Sequence, residues 1–333
     1  MQTYTRDAGY QFKLEEPLWL PGQISIWTFH HVLDKDALTK QIMPIPEVEI
    51  DVDKLEQLIV AFLNDGGQFL SLDAIESMER DPNVSYAVMT LDDGYLNNFD
   101  VALPLFEKYQ VPACIYITTG YPDGEITDVW NTLNRFIFAN ETISYVFEGE
   151  VHQETCRSLA KKRQLLCRVY TLIETHIAGD DKLDFFAAMQ GNRTPITLSR
   201  GMSWQQLEVL AAHPLITLGA HTIMHPSLPK LSDEALAREL VLPKRRLEQK
   251  LGIRVDHFAY PYGHYSEREA TAVRAAGYQT ATTIDSAFIS DFDTLNPYQI
   301  PRQYINANLA IIRPGALVLS SISEQLNAEP VVE

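Results

Sequence analysis

Cysteine is scarce in this chain: Cys114, Cys156 and Cys167 are odd in number and carry no C-x-x-C spacing. That excludes a disulfide framework and a cysteine zinc site, and leaves reduced thiols. No apolar run is long enough to span a bilayer, and the opening segment MQTYTRDAGYQFKLEEPLWL has neither the basic start nor the continuous apolar stretch of a secretory signal. The expectation is a soluble, cytoplasmic protein with no membrane span. Positive charge is also short, with 27 Lys and Arg against 44 Asp and Glu and a formal net charge of −17. Without a basic stripe interleaved with aromatics there is no surface for tracking phosphates, so nucleic acid is not an expected partner. Internal repeats and low-complexity tracts are lacking, and only the tail after Asn327 reads as loose.

What is present is a regular alternation of short β-rich runs with helical periodicity, the pattern of βα units around a parallel sheet. ISIWTF (24–29), SYAVMTL ending at Leu91, ACIYIT ending at Thr118, LITLG, HFAY and YQTATTI are the strand runs. Leu55, Leu58, Ile59, Phe62 and Leu63 share a helical face that Gly66 and Gly67 stop, and a further helix runs through Leu96 to Tyr109. Ser203 with Gln206, and Ser266 with Glu269, form capping boxes, and a helix from Ser232 closes at Gly252. Six to eight strand–helix units suit a closed or partly closed barrel better than a short open sheet. From about 125 to 200 the alternation stops. WNTLNRFIF, KKRQLLCRVYTLIE and DKLDFFAAMQ read as amphipathic helices with no strand between them, a helical insertion within a single domain spanning 1–333. Such an addition over one rim serves as a lid, a dimer surface or neither, and a lid that tunes substrate access ranks first.

Three loops that follow strands carry the chemistry. In Thr90-Leu91-Asp92-Asp93-Gly94, two acids sit where a buried run ends, and neighbouring side chains at a strand end face opposite ways. One can bind a metal while the other stays free as a base, although D-D-G alone is also an ordinary turn signal. In His221-Thr222-Ile223-Met224-His225, two imidazoles four residues apart converge on one cation if the segment makes a single turn, but the pair lacks the glutamate of the zinc-protease helix motif. In Phe258-Ala259-Tyr260-Pro261-Tyr262-Gly263, proline and glycine fix a tight loop that can aim a backbone N–H at a substrate oxygen. βα barrels place their catalytic groups in such loops.

Together these motifs resemble the polysaccharide deacetylase family, the group with a NodB-type homology domain also called carbohydrate esterase family four. T-L-D-D-G matches its first motif, H-T-I-M-H its second and F-A-Y-P-Y-G a variant of its third; S-W-Q-Q-L and H-P-S-L match in context, and the resemblance covers roughly Ile24 to Tyr304. It implies a distorted, partly open (β/α) barrel of about seven parallel strands. Asp93, His221 and His225 would be metal ligands, Asp92 the general base, and Tyr262 the donor of a backbone N–H to the oxyanion. Phe29-His30-His31-Val32 resembles a segment of the branch that carries this third-motif variant, where the residue in the place of His30 acts as general acid. The implied cofactor is a divalent metal ion, zinc first, with cobalt, nickel or iron acceptable to the same donors. The implied substrate is an N-acetylated sugar, glycan or glycan precursor, and a homo-oligomer is compatible with the sequence.

The chain departs from the common family pattern in two places. Ala259 stands where many members have an arginine that holds the base aspartate, and no late Leu-x-x-His supplies the usual acid. Ile300-Pro301-Arg302 follows a later strand and can return a guanidinium to Asp92, while His30 can replace the acid. An amidohydrolase acting on a non-carbohydrate amide or an O-acetyl ester, and an inactive carbohydrate-binding relative, are the alternatives. Trp27, Trp130 and Trp204 read as core or rim packing, His31 as facing away from His30, and His152, His176, His213, His257 and His264 as structural or surface residues.

Overall fold

The computed structural model describes residues 17–39, 49–177, 181–189, 194, 196–198 and 201–305, with the strand backbones of Tyr4–Thr5, Gln11–Phe12, Leu309–Arg313 and Ala316–Leu319. The tail after Asn327 lies outside the described residues. Aromatic and branched runs form β1 (Ile24–Phe29), β2 (Gln68–Leu70), β3 (Tyr86–Leu91), β4 (Ala113–Ile117), β5 (Ile216–Ala220), β6 (His257–Ala259), β7 (Thr280–Thr282) and β8 (Gln303–Tyr304). These strands are all parallel, in the order β7-β6-β5-β4-β3-β1-β8. The eighth strand, β2, pairs with residues 86–88 of β3, while β4 pairs with residues 89–91 of the same strand. A parallel bridge between Thr282 and Ile300 bonds β7 to the segment that enters β8, drawing the two ends of the sheet together. The result is the distorted (β/α) barrel expected from the sequence.

Side-chain alternation divides the strands into two layers. Ile24, Ile26, Val88, Cys114, Tyr116 and Ala259 fill the interior. Trp27, Phe29, Met89, Leu91, Ile115 and Leu218 face outward, under the helices. Those helices include α1 (Val52–Asn64), capped by the Asp51 carboxylate, and α2 (Leu103–Tyr109).

The segment between 125 and 200 forms α3 (Val129–Ala139), α4 (Leu159–His176) and α5 (Asp181–Ala188). Its core of Leu133, Phe136, Ile137, Leu165, Leu166 and Phe186 is separate from both barrel layers. The expectation of helices with no strand between them is corrected here. Thr142–Phe147 and Glu150–Thr155 form an antiparallel hairpin. Ile143 and Tyr145 turn one of its faces into the insertion core, and Glu148 and Gly149 close it with φ of 51° and 81°. Two positive φ values match the primed two-residue turn that suits strand twist. Glutamate there gives a weaker sequence signal than asparagine or aspartate.

The chain returns to the barrel through α6 (Trp204–Ala211), α7 (Asp233–Leu251) and α8 (Glu267–Ala275). The Ser203–Gln206 and Ser266–Glu269 capping boxes both form, and Gly252 closes α7 at φ 68°.

Candidate active site

The three motif loops meet at the C-terminal ends of β3, β5 and β6. Of the six non-glycine residues with positive φ among the described residues, four are here: Asp93, Thr222, His225 and Tyr262. Left-handed backbone at non-glycine residues persists where surrounding bonds impose it, commonly at functional sites.

Those imposing bonds are visible around the histidine loop. The Thr222 hydroxyl accepts the His225 N–H at 3.0 Å, which closes the single turn that the spacing required. Glu239, on the buried face of α7, accepts the N–H groups of Ile223 and Met224 with one carboxylate oxygen, at 2.7 and 3.1 Å. From β4, the Thr118 hydroxyl donates to the His221 carbonyl at 3.0 Å, and Gly120 N–H donates to Ile223 O at 2.9 Å. A Cβ at position 120 would lie 2.5 Å from that carbonyl oxygen, so this approach requires glycine.

The turn brings His221 Nε2 within 3.5 Å and His225 Nε2 within 3.3 Å of Asp93 Oδ1. Asp93, His221 and His225 are the group with metal-ligand spacing among the described residues. Tetrahedral bonds of about 2.0–2.2 Å separate two ligand atoms by roughly 3.3–3.6 Å, so the observed spacing fits a cation of that size. The donor chemistry fits as well. His221 Nδ1–H donates to Ala259 O at 2.8 Å, which leaves the Nε2 lone pair toward Asp93. Burial pushes both imidazoles down to about 4, so both are neutral near neutral pH, the form in which an imidazole can bind a cation.

Asp92 is buried and faces the other way. The Arg302 guanidinium, itself fully buried, grips it with two bonds: Nη1 to Oδ1 and Nη2 to Oδ2, both 2.7 Å. Arg302 Nε donates to Thr283 O at 2.8 Å and Nη1 to the Thr90 hydroxyl at 3.2 Å. Burial would raise the Asp92 pKa, but the charge and paired bonds of Arg302, with smaller contributions from His221 and His30, hold it well below the usual carboxylate range.

His30 Nε2 lies 4.0 Å from Asp92 Oδ2, and its Nδ1 lies 3.5 Å from the Tyr304 hydroxyl. Tyr262, at φ 59°, sets its half-exposed ring edge-on to His225, with centroids 4.5 Å apart. The arrangement thus brings together all seven residues singled out from the sequence. His31 turns away, stacking on Tyr95 with centroids 3.6 Å apart, and its Nε2 lies 3.4 Å from Asp128 Oδ2 at the start of α3. Trp27 is core, and the Trp204 indole donates to Asp123 at 2.9 Å. His257 is buried against Asp73 and Thr280 at the opposite end of the strands. Sequence reasoning missed Glu239, whose one signal was an acid between Leu236 and Leu240 on an apolar face. It also missed Asn97 and Asn98, which follow the aspartate loop.

An aspartate gripped by an arginine lies beside three side chains with metal-ligand spacing at the C-terminal end of a parallel barrel, where this architecture places its catalytic groups. The profile of the family described as polysaccharide deacetylase matches residues 79–281, and the chain belongs to that family. Its members hydrolyse the N-acetyl amide bonds of carbohydrates, carbon–nitrogen bonds other than peptide bonds, and are generally metal-dependent. The match covers all three motif loops and leaves out His30 and Arg302. No curated protein matches the chain. Among solved structures, Streptococcus pyogenes deacetylase PplD in complex with acetate is similar at 16% identity and TM-score 0.53, over 88% of this chain and 95% of that one. BC0361, a polysaccharide deacetylase from Bacillus cereus, is similar at 15% identity and TM-score 0.54, over 97% and 74%. IcaB from Ammonifex degensii is similar at 17% identity and TM-score 0.51, over 85% and 92%. At these identities the likeness is one of fold.

Proposed function

We propose that the protein removes the acetyl group from an N-acetylated sugar, glycan or glycan precursor, using a divalent cation held by Asp93, His221 and His225. Zinc suits two imidazoles and a carboxylate; cobalt, nickel and iron suit them too. The observation that carries the reading is the separation of the two aspartates: Asp93 faces the imidazoles, and Asp92 is engaged by Arg302 beside them. When bound, the cation supplies Lewis acidity to the acetyl carbonyl and to the attacking water.

The chain's own groups do the rest. Asp92 accepts the proton of the attacking water. Arg302 keeps it ionised and therefore free to accept, and in doing so makes it a weaker base than an unpaired carboxylate. The Tyr262 backbone N–H donates to the oxyanion that develops on the former carbonyl oxygen. His30, on the far side of Asp92, protonates the departing sugar nitrogen. The insertion, joined to the barrel through Asp128 and His31, bounds the approach to these groups and tunes which acetylated substrate enters.

The test is acetate release from a panel of N-acetylated sugars and oligosaccharides, with O-acetyl esters and simple acetamides alongside. Acetate should appear from N-acetylated sugars, vanish on chelation and return with added divalent cation. Release from O-acetyl esters or non-carbohydrate amides alone would move the activity to the alternative substrates. Bound metal with no release from any substrate would make the chain a binding protein.

A further inference from the structure

The imidazole of His30 is held loosely by its side-chain neighbours, since both the 3.5 Å contact to Tyr304 and the 4.0 Å contact to Asp92 are at or beyond the limit of a hydrogen bond. The ladder of β1 ends one residue earlier, at the Phe29 and Leu91 pair, and a short parallel ladder of residues 31–33 on residues 49–51 begins one residue later, so His30 itself falls between the two. What fixes His30 is its backbone. Asn98 Nδ2 donates to the His30 carbonyl at 2.7 Å, a short bond between residues 68 positions apart. Asn98 is fully buried. Its other side-chain bond is a longer donation to Asn97 Oδ1 at 3.3 Å, and among the described residues its own Oδ1 accepts no hydrogen bond.

A buried amide used only on its donor side is a poor packing residue, because leucine would fill the same space without an orphaned acceptor. What the amide adds is its donors, and the shorter of their two bonds goes to the His30 carbonyl. The backbone that carries the amide is irregular. Asn98 opens a π-turn, Asn98–Ala102, in which Leu103 N–H bonds back to Asn98 O, and such turns inside helices recur at functional sites.

We infer that Asn98 is a positioning residue for His30: by holding the carbonyl it sets the direction in which the imidazole leaves the backbone, and so keeps Nε2 over Asp92. The inference rests on the reading of His30 as the acid that protonates the leaving nitrogen. A misplaced acid slows the loss of an amine, which must leave protonated, and spares 4-nitrophenyl acetate, whose leaving group departs without a proton.

The test uses Asn98→Ala and Asn98→Leu, the second keeping the branched shape and losing the donor, each alone and with His30→Gln, assayed on an N-acetylated sugar and on 4-nitrophenyl acetate. Each Asn98 variant should lower kcat on the amide at least about ten-fold, with KM and bound metal unchanged and ester turnover within about two-fold of wild type. Added to His30→Gln, the same change should cost nothing more on the amide. Equal losses on both substrates, a full additional loss in the His30→Gln background, or variants that no longer fold or hold metal would assign Asn98 to the fold and overturn the inference. The underlying reading fails separately: if His30→Gln alone turns over the amide normally, His30 is not the acid.

Discussion

Asp92 and Asp93 are neighbours with opposite surroundings, and their surroundings decide what each can do. For Asp92 the deciding group is Arg302. A buried guanidinium and carboxylate joined by two bonds stabilise each other, but removing one partner leaves a buried charge without compensation. Arg302→Met should therefore cost about 3–5 kcal/mol in urea denaturation. A loss below about 1 kcal/mol would mean that Asp92 had taken up a proton or solvent at little cost. For His221 and His225 the deciding group is Glu239, which holds two N–H groups of their turn. Glu239→Gln should weaken metal binding by about ten-fold or more, read by competition with a chromophoric chelator; unchanged affinity with a lower melting temperature would assign Glu239 to the fold. These residues differ in how far the sequence disclosed them. The aspartates and histidines announce themselves because two motif loops concentrate them. Arg302 is legible only through the family resemblance, in which an arginine holds the base aspartate and this chain has Ala259 in its place. Glu239 and Asn98 were hidden, since helical periodicity reports which face is buried and not that a buried polar atom serves a distant loop.

At the scale of elements, strands and caps were legible because their signals are local: branched runs, Ser and Gln or Glu three residues apart, glycine after the last turn. The hairpin in the insertion was not, because its turn residues are Glu148 and Gly149 and its outer strand alternates weakly. The junction of the insertion with the barrel has an electrostatic character that only the fold reveals. Burial pushes the Asp128 carboxyl up to about 7, with the charge of Asp93 adding to it, and pushes the facing His31 imidazole down to about 3. Asn97 Nδ2 donates to His31 Nδ1, which leaves the proton on Nε2, toward Asp128. Between those two values the contact joins neutral groups. An acid whose folded pKa is raised contributes stability that is complete below its unfolded value of 3.8 and is lost as pH rises through about 7. Wild type should therefore lose stability relative to Asp128→Asn as pH rises from about 4 to about 7 and run parallel to it above that, followed by urea midpoints across the range. Curves parallel over the whole range would show that Asp128 is ionised throughout or solvated.

At the scale of the whole molecule, the site exists because the sheet brings its ends together. β8 pairs with β1, so residues 30 and 302, nearly the whole chain apart, both reach Asp92 at the end of β3. The parallel direction of the strands and their approximate number followed from the alternation of runs along the chain, although the short β2 and β8 showed no run of their own. The pairing of β8 with β1, and the bridge from Ile300 to Thr282, depend on contacts between distant segments that no local pattern encodes. The central claim is a division of labour across that mouth: Asp93, His221 and His225 hold the cation, and Asp92 leaves it alone. Elemental analysis of purified wild type, Asp92→Asn and Asp93→Ala tests it directly. The expected result is equal metal in wild type and Asp92→Asn, with acetate release abolished in the latter, and metal lost in Asp93→Ala; metal that leaves with Asp92 or persists without Asp93 would contradict it.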